Sequence, residues 1–247
     1  MRLDALLVER GLAVSQQKAQ AMILAGEIRV DGQPNVKSGA LVAIDARIEA
    51  VGGALRYASR GGAKLEGAIE GFGVSVDGKD CLDVGASTGG FTDCLLQHGA
   101  AKVFAVDVGR GQFAWKLRHD PRVVVMEKTN ARHLTAAQFP PPFTPADLAV
   151  IDCSFISLRN ILPAAIALLR PNGKIVALIK PQFEAGKAEA DKGRGVISDP
   201  SVHERVLNEL RGFVRAQPGL RWQGVVESPL LGPAGNKEFL ALIEKTS

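Results

Sequence analysis

The chain has 247 residues, with 46% hydrophobic and 23% charged side chains and a formal net charge of +4. This composition is typical of a soluble globular protein with a full core and room for a second small module. It excludes a membrane-spanning protein, because no apolar run approaches the roughly 20 residues that cross a bilayer. Residues 1–10 carry charges in a helical pattern, unlike a signal peptide, so we expect a cytoplasmic protein.

The cysteines and histidines predict no metal centre. They are scattered singly along the chain, at Cys81, Cys94, Cys153, His98, His119, His133 and His203. Cysteines in this arrangement are most simply buried, reduced thiols.

The first fifty residues predict a small α+β module. Leu3, Leu6 and Leu7 share a helical face that ends at Gly11, and Ser15 is a candidate N-cap for a second helix. The expected elements are a helix over 2–10, a helix from 15 to 26, a strand over 28–30, a hairpin turn at 31–32 and further short strands within 36–51.

A basic joint follows this module. Residues 52–64 contain Arg56, Arg60 and Lys64 but no acid, whereas residues 1–51 are balanced and residues 65–247 carry a net charge of only +1. Most of the positive charge therefore lies in one short segment. A solvated linker explains this segment, and so does contact with a polyanion such as nucleic acid.

From Gly78 onward, apolar strand-like runs alternate with helical patterns. Strands are expected over 81–84, 103–108, 123–126, 148–151, 175–179, 224–226 and 239–243, and helices over 91–98, 112–118, 158–169 and 200–216. This alternation predicts an α/β fold with a doubly wound, mainly parallel sheet, in which the last two strands are compatible with an antiparallel hairpin. Residues 184–198, rich in Gly, Lys and Asp, are expected to form a mobile loop next to a strand end.

The turn after the first of these strands is the most informative segment. Residues 81–90 read CLDVGASTGG, so a buried strand, a glycine-rich turn and a helix follow one another, as in a nucleotide-binding βαβ unit. The spacing G-x-x-x-G-G differs from the G-x-G-x-x-G that binds a dinucleotide pyrophosphate. Asp83, just before the turn, would repel a phosphate and suits a cationic amino acid. We therefore predict an S-adenosylmethionine site at this turn.

A second acid supports this prediction. Asp107 ends the next strand about twenty residues after the turn, the offset at which an acid accepts hydrogen bonds from ribose hydroxyls. A site for another nucleotide and a purely structural turn stay open as alternatives, and a plain loop explains residues 130–131 nearly as well as contact with an adenine ring. The predicted cofactor-binding residues are Asp83, Gly85, Ala86, Ser87, Gly89, Gly90, Phe91, Asp107, Val108, Asn130, Ala131 and Asp152.

Two later strands run into charged residues that burial would not select. Asp152 follows the strand over 148–151, and Lys180 follows the strand over 175–179. Because both strands should be buried in a parallel sheet, we expect the two side chains at its ligand-binding edge. A structural salt bridge explains these two residues equally well on their own.

The N-terminal segment resembles the small RNA-binding module named after ribosomal protein S4. The resemblance rests on RLD at 2–4, LVERG at 7–11, SQQKA at 15–19 and AGEIRVDG at 25–32. It implies that the basic residues of these segments meet an RNA backbone, and two arginines of the basic joint are predicted to join them. Taken singly, each is equally well a surface charge. The predicted RNA-binding residues are Arg2, Arg10, Lys18, Arg29, Arg56 and Arg60.

The remainder resembles the FtsJ-like ribose 2′-O-methyltransferases, which have a Lys-Asp-Lys-Glu tetrad. The matching residues are Lys64, Asp152, Lys180 and Glu238. The motifs SRGGAKL at 59–65, DCSFIS at 152–157, KPQFE at 180–184 and GPAGNKE at 232–238 are similar to those of the TlyA family. With the N-terminal module, this resemblance covers essentially the whole chain.

The resemblance implies a Rossmann-like class I methyltransferase with a seven-stranded sheet behind an RNA-binding module. The expected boundaries are 1–55 for that module, 56–64 for a basic linker and 65–247 for the catalytic domain. The implied reaction is methyl transfer from S-adenosylmethionine to the ribose 2′-hydroxyl of a ribosomal RNA cytidine. The extent of the chain is similar to that of the shorter family type, which implies action on the large subunit. We expect a monomer that acts on ribosomal RNA or a ribosomal subunit, without membrane or metal.

The chemistry expected of the tetrad is alignment and proton removal. The ribose oxygen must lie in line with the transferable methyl carbon, and Lys180 is the candidate to contact its hydroxyl, as a base if neutral or an orienting donor if charged. Asp152 favours the charged lysine, whereas burial and Lys64 favour the neutral one. Glu238 is expected to fix the lysines, and Asp152 is also expected near the methionine end of the cofactor.

Other functions stay open. A noncatalytic RNA-binding ribosome-assembly factor would retain the fold with a damaged tetrad or glycine turn. A membrane-active haemolysin, a label that some family members carry, would need a leader, a spanning segment or a basic amphipathic helix. A small-molecule methyltransferase would leave the N-terminal module unexplained. Phe155 and Arg194 are weaker candidates for RNA contact, Phe155 by stacking on a flipped base, while Trp115 is expected to pack.

Overall fold

The computed structural model describes residues 1–13, 15–24, 26–34, 37–50, 56–232 and 234–246. Two folded parts occur within these ranges, a small N-terminal α+β unit and an α/β unit that follows it. The predicted strand positions Val36 and Val51, the predicted domain boundary at residue 55, and the motif residues Ala25 and Pro233 lie outside the described residues.

The N-terminal unit packs two helices against a three-stranded antiparallel sheet. The helices are α1 Leu3–Glu9 and α2 Gln16–Leu24, and the strands β1 Ile28–Val30, β2 Gln33–Pro34 and β3 Ile48–Ala50 are ordered β2-β1-β3. The Ser15 hydroxyl accepts a hydrogen bond from the Lys18 amide at 3.2 Å, as expected of an N-cap. Asp31 and Gly32 have φ angles of 51° and 76°, which suit the tight turn between β1 and β2. The two predicted helices, the first strand and its turn are confirmed.

The α/β unit contains one seven-stranded sheet. Its strands are β4 Asp80–Val84, β5 Lys102–Val106, β6 Val123–Met126, β7 Ala146–Ile151, β8 Leu169–Ile179, β9 Leu220–Glu227 and β10 Phe239–Lys245. Its helices are α3 Gly61–Phe72, α4 Gly90–Gln97, α5 Trp115–Arg118, α6 Leu162–Ala167, α7 Pro181–Glu184, α8 Lys187–Lys192 and α9 Pro200–Ala216, with 3-10 turns at Ala131–His133, Ala136–Gln138 and Leu158–Asn160.

The strand order is β6-β5-β4-β7-β8-β10-β9. The strands from β4 to β8 pair in parallel, and β10 runs antiparallel to both β8 and β9. The predicted fold, a mainly parallel seven-stranded sheet that ends in an antiparallel pair, is confirmed. The order reverses at β4, which has β5 on one side and β7 on the other. Such a switch point opens a crevice at the carboxyl ends of the strands.

Apolar layers cover both faces of this sheet. Leu82 and Ile175 pack in one layer with residues of α6 and α9, whereas Cys81 and Val176 pack in the other with residues of α3 and α4. Burial on both faces explains why the central strands are continuous apolar runs instead of alternating ones. It also means that polar chemistry is concentrated where these strands end.

Three predicted segments differ from the structure. The predicted helix over 158–169 is a 3-10 turn followed by α6, and Leu169 already belongs to β8 because it pairs with Ala146 of β7. A short apolar run cannot by itself distinguish a helix from a strand. The predicted helix over 112–118 is reduced to the four residues of α5, and the predicted loop over 184–198 contains α8.

Candidate active site

The charged residues at the strand ends lie at one edge of the sheet. They are Asp83 in β4, and Asp107, Asp152 and Lys180 directly after β5, β7 and β8. Because β10 is antiparallel and Phe239 pairs with Ile179 at the end of β8, Glu238 reaches this edge from the opposite chain direction. The topology thus brings together acids and a lysine that are far apart in sequence.

The glycine-rich turn after β4 requires glycine at several positions. Gly85 and Gly89 have φ angles of 89° and 92°, and a Cβ on Gly85 would lie 2.6 Å from the carbonyl oxygen of Asp152. Gly90 begins α4 at a point where a Cβ would lie 2.2 Å from the Ser59 hydroxyl oxygen. The backbone of the turn therefore approaches the loop after β7 and the start of α3 more closely than a side chain would allow.

Asp83 is fully buried behind this turn. Its Oδ2 accepts a hydrogen bond from the Thr92 hydroxyl at 2.6 Å, and its Oδ1 has no hydrogen-bond partner among the described residues. Burial, together with the nearby Asp152 charge, raises the pKa of Asp83 to about 7 despite the hydrogen bond from Thr92. A buried carboxylate oxygen of this kind fits the ammonium group of an amino-acid ligand.

Asp107 orders the backbone on both sides of a narrow crevice next to the turn. Its Oδ2 accepts a hydrogen bond from the Ser87 amide at 2.8 Å, and its Oδ1 accepts one from the Gly109 amide at 2.6 Å. Each carboxylate oxygen keeps a further lone pair, so the side chain can still accept ribose hydroxyls. Ala86 lines the same crevice, while the neighbouring Val108 is 74% exposed.

Two residues predicted to bind the cofactor lie apart from these contacts. Asn130 caps the 3-10 turn that begins at Ala131, and its Oδ1 accepts a hydrogen bond from the Arg132 amide at 3.0 Å. Neither Asn130 nor Ala131 is among the described residues that line the cavities beside the glycine turn and Asp107. Their contact with an adenine ring stays a prediction.

Lys64 and Glu238 form a closed pair on one side of the site. The Nζ atom of Lys64 donates a hydrogen bond to Oε2 of Glu238 at 2.5 Å, and the two side chains are 9% and 0% exposed. Gly232 approaches the same carboxylate closely, since a Cβ there would lie 2.1 Å from Oε1 of Glu238. The pair joins α3 to the residue before β10, and both of its side chains are almost completely buried.

Lys180 is held differently, by one carboxylate and one hydroxyl. Its Nζ lies 2.5 Å from Oδ1 of Asp152, an ion pair outside hydrogen-bond geometry. The same Nζ donates a hydrogen bond to Oγ of Ser154 at 2.8 Å. The Asp152 side chain is 24% exposed, so this half of the site opens toward solvent.

One cavity of about 180 Å³ connects these groups. The predicted residues that line it are Arg60, Lys64, Gly85, Ala86, Ser87, Gly90, Phe91, Asp152 and Lys180. Glu238 lies behind Lys64 and contacts the cavity through it. The structure therefore gathers the tetrad and the glycine turn around one space, where a lysine can orient a hydroxyl or accept its proton beside a bound cofactor.

The loop after β7 contains contacts that the sequence pattern does not reveal. Glu184 accepts hydrogen bonds from the Ser157 hydroxyl at 2.6 Å and the Leu158 amide at 2.7 Å, and burial raises the pKa of Glu184. Phe155 has a φ angle of 64° and is 90% exposed, with its ring centroid 5.0 Å from that of Phe183. The only sequence signal for this arrangement is the DCSFIS motif itself.

Asn236 is a second residue that sequence reasoning misses. It is buried, its Oδ1 accepts a hydrogen bond from the Ile197 amide, and its Nδ2 donates one to the Gly195 carbonyl, both at 2.8 Å. These bonds fix the segment that carries the exposed Arg194 to the loop that ends in Glu238. The segment over 195–197 and the loop that ends in Glu238 are therefore coupled through one side-chain amide.

The predicted RNA-binding residues of the N-terminal unit differ in their contacts. Arg2 donates two hydrogen bonds to the buried Asp4, at 3.0 and 2.7 Å, and Arg10 donates one to the Ala46 carbonyl at 2.7 Å. Lys18 and Arg29 are exposed, and among the described residues they form no ion pair. Lys18 and Arg29 are therefore the most available cations of this unit.

The two arginines of the basic joint are only partly available. Arg56 pairs with Glu66 of α3, and Arg60 packs against Gly26, where a Cβ would lie 3.0 Å from the arginine Cδ. Trp115, expected to pack, is instead 74% exposed, because the short α5 directs Leu117 into the core. The Trp115 ring lies 4.2 Å from that of His119.

Two further features concern the part of the chain that the structure describes. None of its helices is long and apolar enough to cross a membrane. Within the same residues, no three His, Cys, Asp or Glu side chains form a group that could hold a metal ion.

Known proteins match both parts of the chain. The FtsJ-like methyltransferase family matches residues 57–245, and the S4 domain family matches residues 1–38. The 16S/23S rRNA (cytidine-2′-O)-methyltransferase TlyA of Mycobacterium tuberculosis is 48% identical over 241 residues, which cover 96% of this chain and 87% of that protein.

Solved structures give the same picture. A proposed hemolysin from Streptococcus thermophilus is 42% identical with a TM-score of 0.76, over 100% of this chain and 89% of that one. The O-methyltransferase TomG of Streptomyces achromogenes, solved with S-adenosylmethionine, is 14% identical with a TM-score of 0.53, over 76% of this chain and 81% of that one. This second likeness shows a shared fold alone.

Proposed function

Because the chain belongs to the FtsJ-like methyltransferase family, we propose that it transfers a methyl group from S-adenosylmethionine to the ribose 2′-hydroxyl of a cytidine in ribosomal RNA. The name of the relative from Mycobacterium tuberculosis describes this reaction on 16S and 23S RNA. The large-subunit RNA, one of the two substrates in that name, is the substrate in our proposal.

The observation that carries this proposal is the convergence of the tetrad on one cavity beside the glycine turn. Lys64, Asp152 and Lys180 line the cavity, and Glu238 supports Lys64 from behind. A noncatalytic assembly factor would have no need to retain four such residues as two ion pairs around one cavity. A small-molecule enzyme would leave the S4 domain at residues 1–38 without a role.

The residues beside the glycine turn fit the proposed cofactor. S-adenosylmethionine supplies an electrophilic methyl group on a sulfonium sulfur. Asp83 Oδ1, which has no hydrogen-bond partner among the described residues, would pair with the amino group of the cofactor, and Asp107 would accept its ribose hydroxyls. At Gly85 the backbone of the turn lies close to the Asp152 carbonyl, and the absence of a side chain there lets the turn curve around a ligand.

In this proposal Lys180 contacts the reacting 2′-hydroxyl. Alignment of two reacting groups can lower a barrier by several kcal/mol, and a positioned acid or base adds to that effect. As a neutral amine Lys180 would accept the hydroxyl proton, and as an ammonium it would orient the oxygen. In either state the Asp152 carboxylate lies beside the reacting groups, with its Oδ1 2.5 Å from Nζ of Lys180.

The N-terminal unit would hold the RNA. We assign residues 1–55 to an S4-like domain, 56–64 to a basic linker and 65–247 to the methyltransferase domain. Lys18 and Arg29 are exposed and would meet phosphates, as would Arg2, Arg10, Arg56 and Arg60 if they exchange their present partners. Phe155, exposed and adjacent in sequence to Ser154, would stack on the flipped base of the target nucleotide.

Nucleoside mass spectrometry tests the proposal. Isolated large and small ribosomal subunits and their free RNAs, taken from cells that lack this gene, are incubated with the protein and S-adenosylmethionine and then digested. The expected product is 2′-O-methylcytidine from the large subunit. A methyl group on a base, or no product from any of these substrates despite cofactor binding, would refute the proposal.

A further inference from the structure

We propose that Ser154 is a positioning residue for methyl transfer, whose hydroxyl fixes the direction in which Lys180 presents its amino group to the reacting ribose oxygen. The inference rests on the proposed function and adds to it a residue outside the Lys-Asp-Lys-Glu tetrad. Ser154 lines the same cavity as Lys180, so its contact lies at the reaction site itself.

Ser154 is the one hydrogen-bond acceptor that Lys180 has among the described residues. The distance from Nζ to the serine Oγ is 2.8 Å. Asp152 lies closer, at 2.5 Å, yet its contact is an ion pair outside hydrogen-bond geometry. An ion pair attracts from any direction, whereas a hydrogen bond requires an aligned N–H. Asp152 therefore supplies charge, and Ser154 sets orientation.

The amino group of Lys180 has only three positions on its nitrogen with which it can contact neighbouring groups. As an ammonium it has three N–H bonds, of which one goes to Ser154 and the others are available to the nearby Asp152 carboxylate and to the cavity. As a neutral amine it has two N–H bonds for the same partners, and the lone pair takes the third direction. In either state, the position aimed at the cavity is the one that can contact a 2′-hydroxyl.

The other charged groups of the site cannot replace this contact. Lys64 and Glu238 are joined by their own hydrogen bond, and Asp83 is buried behind the glycine turn in a bond with Thr92. Loss of the serine hydroxyl would thus leave Asp152 as the only close partner of Lys180 among the described residues. The amino group would then turn toward that carboxylate and away from the cavity.

The loop that carries Ser154 is built as a fixed support. Glu184 binds the Ser157 hydroxyl and the Leu158 amide, which anchors the loop to α7. Phe155 has a φ angle of 64°, so the backbone turns sharply directly after Ser154. A rigid loop matters because an acceptor that moved with the lysine could not orient it.

The kinetic test compares Ser154→Ala with Ser154→Thr in the full chain. In single turnovers on large-subunit RNA with saturating cofactor, we expect the methyl-transfer rate of Ser154→Ala to fall by about ten- to a hundredfold, because alignment is lost. Ser154→Thr keeps the hydroxyl and should stay within about threefold of the wild type, with KM for RNA and calorimetric Kd for cofactor changed by less than about twofold in both variants.

Ser157→Ala is the matched control. It removes a hydroxyl from the same loop, but this hydroxyl bonds Glu184 and not Lys180. A smaller rate loss is expected there. An equal loss of rate in Ser157→Ala, or a rate in Ser154→Thr as low as that of Ser154→Ala, would overturn the inference. Either result would mean that the rate depends on the stability of the loop and not on the hydrogen bond between the Ser154 hydroxyl and Lys180.

Crystal structures of the wild type and Ser154→Ala with S-adenosylhomocysteine give a readout that needs neither RNA nor activity. In the variant, Nζ of Lys180 should rotate into a hydrogen bond with Asp152. An unmoved Nζ would overturn the inference. If the wild type methylates no RNA, the proposed function fails, and this comparison still decides whether Ser154 directs the amino group of Lys180.

Discussion

The two lysines of the cavity are equally buried but are held in opposite ways. Lys64 makes a hydrogen bond of 2.5 Å to the fully buried Glu238. Lys180 lies as close to the more exposed Asp152, but its hydrogen bond goes to Ser154. Both lysines line the cavity, but Lys64 is paired with a carboxylate buried behind it, whereas Lys180 lies between a partly exposed carboxylate and a hydroxyl.

This difference distinguishes residues of the tetrad that support the site from the residue that contacts the substrate. The buried Lys64–Glu238 pair is costly to break, because removal of either partner leaves the other charge buried and unpaired. An amino group shared between a carboxylate and a hydroxyl keeps one direction free. We therefore assign the contact with the reacting hydroxyl to Lys180 and the support of the site to Lys64 and Glu238.

The largest effect is expected from Lys180→Ala. The rate of methyl transfer should fall by about a thousandfold or more, because alignment and proton handling are lost together. Cofactor affinity by calorimetry and the free energy of unfolding should change little, since Asp152 can be solvated once it is unpaired. A variant that kept more than about a tenth of the wild-type rate would contradict the assignment of Lys180.

Lys64→Met tests the buried Lys64–Glu238 pair. It leaves the Glu238 carboxylate buried without a partner, and the free energy of unfolding in urea should drop by about 3–5 kcal/mol. The double variant Lys64→Met/Glu238→Leu should recover most of this stability without recovering activity. Lys180→Met, which removes a lysine of similar burial, is the control and should cost clearly less. Equal losses for Lys64→Met and Lys180→Met would remove the distinction between the two lysines.

Asp83→Asn extends the comparison to the cofactor side. With a pKa raised to about 7 by burial, Asp83 should bind an ammonium group better as the pH rises from about 6 to 8, because only the ionised form attracts it. Asp83→Asn should bind S-adenosylmethionine about tenfold more weakly at pH 8, without this pH dependence. Calorimetric titrations at several pH values measure both, and a pH-dependent affinity in the variant would assign the effect to another group.

Ionisation of Asp83 should lower the stability of the folded chain, although it strengthens cofactor binding. Without cofactor, the unfolded chain releases the Asp83 proton near pH 4 and the folded chain only near pH 7, so stability should fall as the pH rises between these values. At pH 8, Asp83→Asn should be more stable than the wild type by on the order of 1 kcal/mol. A less stable variant at pH 8 would contradict the raised pKa.

The smallest effects are expected in the N-terminal unit, at two cations that do not line the cavity. Lys18→Ala and Arg29→Ala should each weaken RNA binding a few-fold and lower the salt dependence by about one counterion, since each removes one phosphate contact. Arg47→Ala is the matched control, because Arg47 pairs with Glu49 on the same unit. Filter binding at several salt concentrations measures these effects. An equal change in Arg47→Ala would mean that they reflect the lower net charge of the protein and not the loss of particular phosphate contacts.

Burial determines which parts of the fold and site can be predicted from sequence. The runs that end in Asp152 and Lys180 are continuous and apolar because both faces of the central strands are covered, so the strand ends are visible in the sequence. Asp83 and the glycine turn can be recognised in the sequence because they lie at the end of another buried, apolar strand, β4. The helix predicted over 158–169 is wrong at its end because apolar character alone does not show that Leu169 pairs with β7.

Other features depend on contacts that have no local signal. Glu238 reaches the site only because β10 inserts antiparallel beside β8, and the sequence indicated its role through family resemblance alone. Ser154 meets Lys180 across 26 positions, through a loop shaped by the φ angle of Phe155 and anchored by Glu184. A serine in a motif gives no indication of which donor it will meet.

The most direct test of the central assignment is a structure of the full chain with S-adenosylhomocysteine and a large-subunit RNA fragment that contains the target cytidine. We predict that Nζ of Lys180 lies within about 3.2 Å of the cytidine 2′-oxygen, with Ser154 still bound to it and Lys64 still bound to Glu238. A 2′-oxygen bound to Lys64 instead, or a base atom in its place at the cofactor sulfur, would contradict the assignment.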